Sequence, residues 1–186
     1  MDDTSSDTFT TAPEVVRFWR EAGPDRWFAK DEAFDGRFRA SCMALHEAAA
    51  RGELRSWLAT PESALALVLL LDQFPRNCFR GTPRMFATDA LARDVAAAVI
   101  EDGHDRAVAA ELRVFFYLPY EHSEDLADQE RAVELIAPLG ETDRHYAELH
   151  RDIIRRFGRF PHRNAVLGRA TTAEEQRFLD EGGFAG

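Results

Sequence analysis

Lysine is almost missing from this chain. Of its 23 basic residues only Lys30 is a lysine, so the preference for arginine is global and carries no local signal. Cysteine is scarce too: Cys42 and Cys78 lie far apart, with no companion at metal-ligand spacing. That argues against a disulfide framework and predicts reduced core thiols in a cytoplasmic protein. The longest apolar run, Ala64 to Leu71, is far short of the roughly 20 residues that a membrane helix needs. The opening Met1-Asp-Asp-Thr-Ser-Ser-Asp7 is acidic and lacks the basic and apolar regions of a signal peptide, so no membrane role is expected. Glycine-rich phosphate loops and Gly-x-Ser-x-Gly elbows are absent, which sets aside nucleotide-loop enzymes and ordinary serine hydrolases. Positive charge is in deficit. A formal net charge of −10 disfavours nucleic acid and anionic lipid as partners.

What is present points to an all-α fold. The chain has 186 residues and 45% hydrophobic content, enough for one helical domain over 1–186, with 1–12 expected as a disordered tail. Thr60-Pro61 and Thr82-Pro83 each place a capping hydroxyl before a proline, the signature of a helix start. Thr171 and Thr172 with Glu174 and Glu175 form a capping-box pattern. The periodicity predicts helices over 13–20, 31–50, 61–73, 83–101, 105–117, 123–138, 143–157 and 172–180, with no strand. The third is apolar on every face and the fourth is rich in alanine, which together suggest stacked antiparallel helical hairpins.

Three helix exits are broken by proline: Asp72-Gln-Phe-Pro-Arg-Asn77, Leu118-Pro-Tyr-Glu-His-Ser-Glu124 and Arg159-Phe-Pro-His-Arg-Asn164. The first and third echo one another. Each is followed by a glycine, Gly81 or Gly168, and then a threonine, which reads as one turn used twice, with asparagine tolerating left-handed geometry. If the exits end the third, fifth and seventh helices of an up-down stack, their polar loops meet at one end.

Asp72 would then sit at the negative end of a helix dipole and needs a cationic or hydrogen-bonding partner, with Arg76, Arg80 and the segment 151–169 as candidates. That segment holds six arginines against the single acid Asp152, a set able to recognise phosphates or carboxylates. Ser123, Glu124 and Asp125 are explained as cap and first turn of the next helix. Glu121 and His122 are left over, a usable acid–base pair if they face a pocket. Tyr146, His150, Ile153 and Phe157 share one helical stripe, which makes His150 a half-buried core histidine. His162, on irregular backbone beside Arg163, is the best single candidate for a functional histidine. No His-x-x-x-His or Cys-x-x-Cys spacing supports a metal, and no cofactor is expected.

Phe18-Trp19, Trp27-Phe28 with Lys30-Asp31, Leu70-Leu-Asp-Gln-Phe-Pro-Arg-Asn77, Arg80-Gly-Thr82, Phe116-Tyr-Leu-Pro-Tyr-Glu-His-Ser-Glu-Asp125 and Arg156-Phe-Gly-Arg-Phe-Pro-His-Arg-Asn164 with Leu167-Gly-Arg169 resemble the bacterial domain of unknown function 924 family. The resemblance spans nearly the whole chain. It implies an α-α superhelix of tetratricopeptide-like type and brings no activity, cofactor or catalytic residue.

Three functions are compatible with these residues. A binding module would use Asp72, Gln73, Arg76, Asn77, Glu121, His122, Arg159, His162, Arg163 and Asn164 around a small anionic ligand or an acidic peptide end. An enzyme would use His162 or His122 with Glu121 or Asp72 as an acid–base pair on a phosphorylated or carboxylated metabolite. A purely structural network would leave function to another surface, such as a homo-oligomer face.

Overall fold

The structure, a computed structural model, describes residues 8–184. These residues are helical or irregular, without a strand. Packing divides the chain into two compact units: residues 1–80 with 84–119, and residues 81–83 with 120–186.

The first unit begins with α1 (Ala12–Ala22), whose Val15, Val16 and Trp19 form one buried face. Residues 1–7 of the expected tail lie outside the described residues. Beyond them, the Phe9 amide donates to the Ser41 carbonyl at 2.9 Å. After the short α2 (Pro24–Trp27), Asp31 caps α3 (Glu32–Ala50) by accepting from the Ala33 and Phe34 amides. Phe34 and Phe38 on α3 meet Trp19, Phe74 and Phe115 in an aromatic core, and Cys42 on the same helix is buried. The Trp27 indole donates to the Trp19 carbonyl at 2.7 Å.

Next comes α4 (Pro61–Val68), started as expected by Thr60, whose hydroxyl accepts from the Ser63 amide. Its continuation differs from expectation. The helix does not end before Pro75. It widens into a π-turn over Leu69–Gln73 and runs on as α5 (Phe74–Cys78). The Phe74 amide reaches back five residues to the Leu69 carbonyl, and Pro75 has no amide, so Leu70 and Leu71 lose their regular helical donors. Side chains replace them. His46 Nδ1–H donates to the Leu70 carbonyl at 2.9 Å, the Thr88 hydroxyl to that of Leu71, and Arg76 to that of Asp72 at 3.0 Å.

Thr82-Pro83 does not open the fourth helix. Residues Pro83–Phe86 make only a 3-10 turn, and α6 (Asp89–Glu101) starts after Thr88, whose hydroxyl is committed to Leu71 and does not cap. The predicted helix over 105–117 is two 3-10 segments, His104–Ala107 and Ala110–Phe116, interrupted where Val108 is extended. Arg113 holds the join by donating to the Asp105 carbonyl.

Pro119 lies in the first turn of a short helix, α7 (Leu118–Glu121), where a missing amide costs nothing. In the second unit, α8 (Leu126–Ile136) is capped by Asp125, not by Ser123. Ser123 instead donates to Asp128 and receives the Asp125 amide. The pair α8 and α9 (Glu141–Phe157) forms a helical hairpin with Ala132, Ile136 and Ala147 buried. Gly158, at φ 68°, closes α9 in left-handed geometry. After a 3-10 turn at Pro161–Arg163, the expected Thr172–Glu175 capping box opens α10 (Ala173–Asp180).

Candidate functional site

The polar groups of the first exit bond one another and two acids of the first unit, Asp35 and Asp89. The Asp72 carboxylate, fully buried, lies 3.1 Å from Arg76 and accepts from Gln73 at 2.6 Å. Arg76 also makes a two-pronged pair with Asp89, at 2.9 and 3.1 Å. Asn77, whose backbone is helical and not left-handed, donates from its side chain to Asp35 at 2.7 Å, and Arg80 joins the same acid. The partner sought for Asp72 is therefore Arg76, one helical turn on, while Arg80 serves a different carboxylate.

In the second unit Glu124 joins the second and third exits. Its carboxylate accepts from the Phe160 amide at 2.8 Å and from both terminal nitrogens of Arg169, at 2.6 and 2.9 Å. A first-turn helix acid was expected here. The observed bonds instead satisfy the amide exposed before Pro161 and hold the carboxyl below its ordinary value: burial works against ionisation, and the Arg169 and Phe160 donors outweigh it. Arg169 reaches on to the Asn164 side chain at 3.0 Å. Arg159 grips Glu175 at 2.6 and 2.8 Å, and Asn164 donates to the same carboxylate. Hydrogen bonds from Arg159 above all hold Glu175 down to about 2.

The third exit is thus built differently from the first. It follows a glycine-capped helix end and a 3-10 turn, with Asn164 helical and bonded through its side chain. Gly81 and Gly168 do share the role foreseen for them, with φ of 73° and 66°. The arginine-rich segment is mostly neutralised: Arg151 pairs with Asp152, Arg155 with Glu130, and Arg156 with Glu174.

The second unit also holds a histidine cluster. His150 on α9 donates from Nδ1 to the Tyr146 carbonyl at 2.8 Å, and the same atom lies 3.2 Å from the Glu121 carboxylate. That fixes the proton on Nδ1 and leaves Nε2 as an acceptor. Tyr146, expected on the buried stripe, is half exposed, and Ala147 takes its place. The His162 ring lies 5.6 Å from Phe160, over which Arg163 lays its guanidinium at 4.4 Å. A protonated His122 would be felt at both His150 and His162. Burial pushes both rings below the ordinary 6.5, with Arg163 adding to the effect; His162 falls to about 4. Near neutral pH both are uncharged. His162 Nδ1 is buried and has no hydrogen-bond partner among the described residues.

The family model described as "Bacterial protein of unknown function (DUF924)" matches residues 15–183. The chain belongs to this family. It is similar to a solved structure of a protein of unknown function from Agrobacterium tumefaciens, with 60% identity and a TM-score of 0.91, over 92% of this chain and 97% of that one. No curated protein matches it.

For this DUF924 member the sequence expectations divide cleanly. Asp72, Gln73, Arg76 and Asn77 are held together in the first unit, and Glu121, His122, Arg159, His162, Arg163 and Asn164 lie in the second. Sequence reasoning missed Arg169 and Glu175 as anchors and placed His150 in the core without its carboxylate. Glu175 had a readable signal as a capping-box acid, but its bond to Arg159 had none. A separate cleft of about 530 Å³ in the first unit, walled by Val16, Leu65 and Leu112, takes in none of the predicted site residues.

Proposed function

We propose that this DUF924 protein is a helical binding module that takes a small anionic ligand at the histidine and arginine cluster of the second unit. The observation that carries this reading is the buried His162 Nδ1, a polar atom beside the Arg163 cation with no hydrogen-bond partner among the described residues. A buried polar atom without a partner is costly, and an anion bridging His162 and Arg163 would relieve that cost. The set is narrower than the sequence suggested. Its centre is His162 and Arg163, with His122 and the Glu121–His150 contact beside them, whereas Arg76 pairs with Asp72 and Asp89 and Arg159 with Glu175.

The experiment is a thermal-shift titration with inorganic phosphate and small carboxylates, repeated on His162→Ala. Ligand at a hundred times its Kd stabilises the folded state by about 2.7 kcal/mol. A shift that survives intact in His162→Ala would place the ligand elsewhere and end this reading. Acidic peptides form a second arm, and stabilisation by them alone would exchange the small ligand for a protein partner.

A second reading is favoured by one observation, the Glu121–His150 contact. A carboxylate that orients a neutral imidazole, leaving Nε2 as acceptor, is the arrangement of a general base. On this reading a bound phosphorylated or carboxylated metabolite is transformed, and His150→Gln abolishes turnover while binding persists. Quantitative recovery of unchanged ligand after long incubation would exclude it.

A further inference from the structure

The ring of Phe184 stands edge-on against both histidines of the cluster. Its centroid is 4.5 Å from that of His150, with planes at 65°, and 5.4 Å from that of His162, at 76°. Phe160 closes the back of the same space, 5.5 Å from His150 and 5.6 Å from His162, and carries the Arg163 guanidinium on its face. Three flat rings therefore bound a slot of aromatic dimensions with a cation at its rim. T-shaped contact is the geometry in which aromatic rings attract through their quadrupoles, so the slot suits an aryl group better than a flexible alkyl chain.

Phe184 is only half-buried in this slot, and its position depends on the turn that ends α10. The Gly182 amide donates to the Leu179 carbonyl and the Gly183 amide to that of Phe178. Gly182 takes φ 83°, and a Cβ on Gly183 would lie 2.5 Å from both the ring and the carbonyl of Phe178. The two glycines thus turn the chain back onto the histidines. A half-exposed ring at the end of a glycine turn is held by fewer contacts than a core residue and opens at lower cost.

Resting on the anion-binding reading, we propose that this slot is the ligand's ring site. Its exogenous occupant is an aromatic ring bearing a carboxylate or phosphate, which displaces Phe184 and brings its oxygens to His162 Nδ1 and Arg163. Phe184 is the built-in competitor. The apparent affinity for the ligand scales with the fraction of molecules in which Phe184 has left. A minor open state is populated at roughly 10% or less, so removing the competitor raises affinity about tenfold or more.

The test is histidine imidazole NMR of the full chain titrated with benzoate, phenyl phosphate, cyclohexanecarboxylate and inorganic phosphate. It is run on wild type, Phe184→Ala and Gly183→Ala. The second variant displaces the segment that carries Phe184, leaves every residue that bounds the slot unsubstituted, and serves where the first is too unstable. The expected result is that benzoate or phenyl phosphate shifts the His150 and His162 signals, with about tenfold tighter binding in either variant. Inorganic phosphate is expected to shift His162 with unchanged affinity. If the variants leave aryl affinity unchanged, or cyclohexanecarboxylate equals benzoate, the ring site is overturned while anion binding stands. If no anion moves the His162 signal, both readings fall. Whichever of benzoate and phenyl phosphate binds more tightly identifies the head group.

Discussion

The Thr88 hydroxyl donates to the carbonyl of Leu71, the acceptor whose regular helical donor would be the amide that Pro75 lacks. One side chain thereby repairs a proline defect inside a buried helix and fixes where α6 begins. Thr88→Val keeps the shape and removes the donor, leaving a buried carbonyl without its bond. Urea unfolding is expected to register a loss of about 1–3 kcal/mol, most of it restored by Thr88→Ser. Equal stability of the valine variant would mean that the carbonyl finds another donor.

Arg76 lies between two acids, Asp72 and Asp89. Arg76→Leu removes the cation that two carboxylates share and is expected to cost about 3–5 kcal/mol, while the triple change with Asp72→Asn and Asp89→Asn recovers much of it. Ligand titrations of the second unit's histidines are expected to be indifferent to both, because the triad belongs to the first unit. A lost histidine response in a folded triple variant would return Asp72 and Arg76 to the binding site.

Glu124 and Arg169 tie the second exit to the third. In a double-mutant cycle with Glu124→Gln and Arg169→Gln, the coupling is expected to reach about 1–2 kcal/mol, above an ordinary exposed pair because the contact is bidentate and part-buried. Additive single effects would demote the bridge to surface decoration.

Acid should weaken this protein in two stages. His46, His150 and His162 are all pushed below 6.5, chiefly by burial. Above pH 6.5 neither folded nor unfolded chain is protonated at these rings. As pH falls below it, the unfolded chain takes up protons first, and stability drops at up to about 1.4 kcal/mol per pH unit for each histidine. For His162 the loss is complete near pH 4. Glu175, held down by Arg159, and Glu124, held by Arg169 against the opposing effect of burial, contribute stability above their ordinary 4.5. That contribution is lost as pH falls on toward about 2 for Glu175. Both stages have the same sign, so stability rises from acid toward neutrality. His162→Asn is expected to flatten the upper stage when unfolding free energy is measured against pH.

The helical class was legible because capping chemistry is local. Thr60-Pro61 and Thr172 with Glu175 act within one turn of themselves, and each starts the helix that its residues announce. Pro75 was misread as a stop for the opposite reason. Whether a proline ends a helix depends on whether donors elsewhere can serve the freed carbonyls, and His46 and Thr88 come from 24 and 17 residues away. The same distance problem hid half the polar network. Glu124 looked like a first-turn acid until Arg169, 45 residues on, engaged it, and His150 looked like plain core until Glu121 met it. Residue type announced that these groups need partners, while tertiary pairing decided which ones they found.

Trp19 and Trp27, joined by the indole bond at the start of the first unit, have a spectroscopic consequence. With Trp57 they are the chain's three tryptophans, and all belong to the first unit. Indole emission therefore reports on one half of the molecule, whereas far-ultraviolet circular dichroism averages the helices of both. Denaturation traces that superimpose in the two signals would mark one cooperative transition, and traces that separate would time the melting of each half independently, with no dye or engineered label.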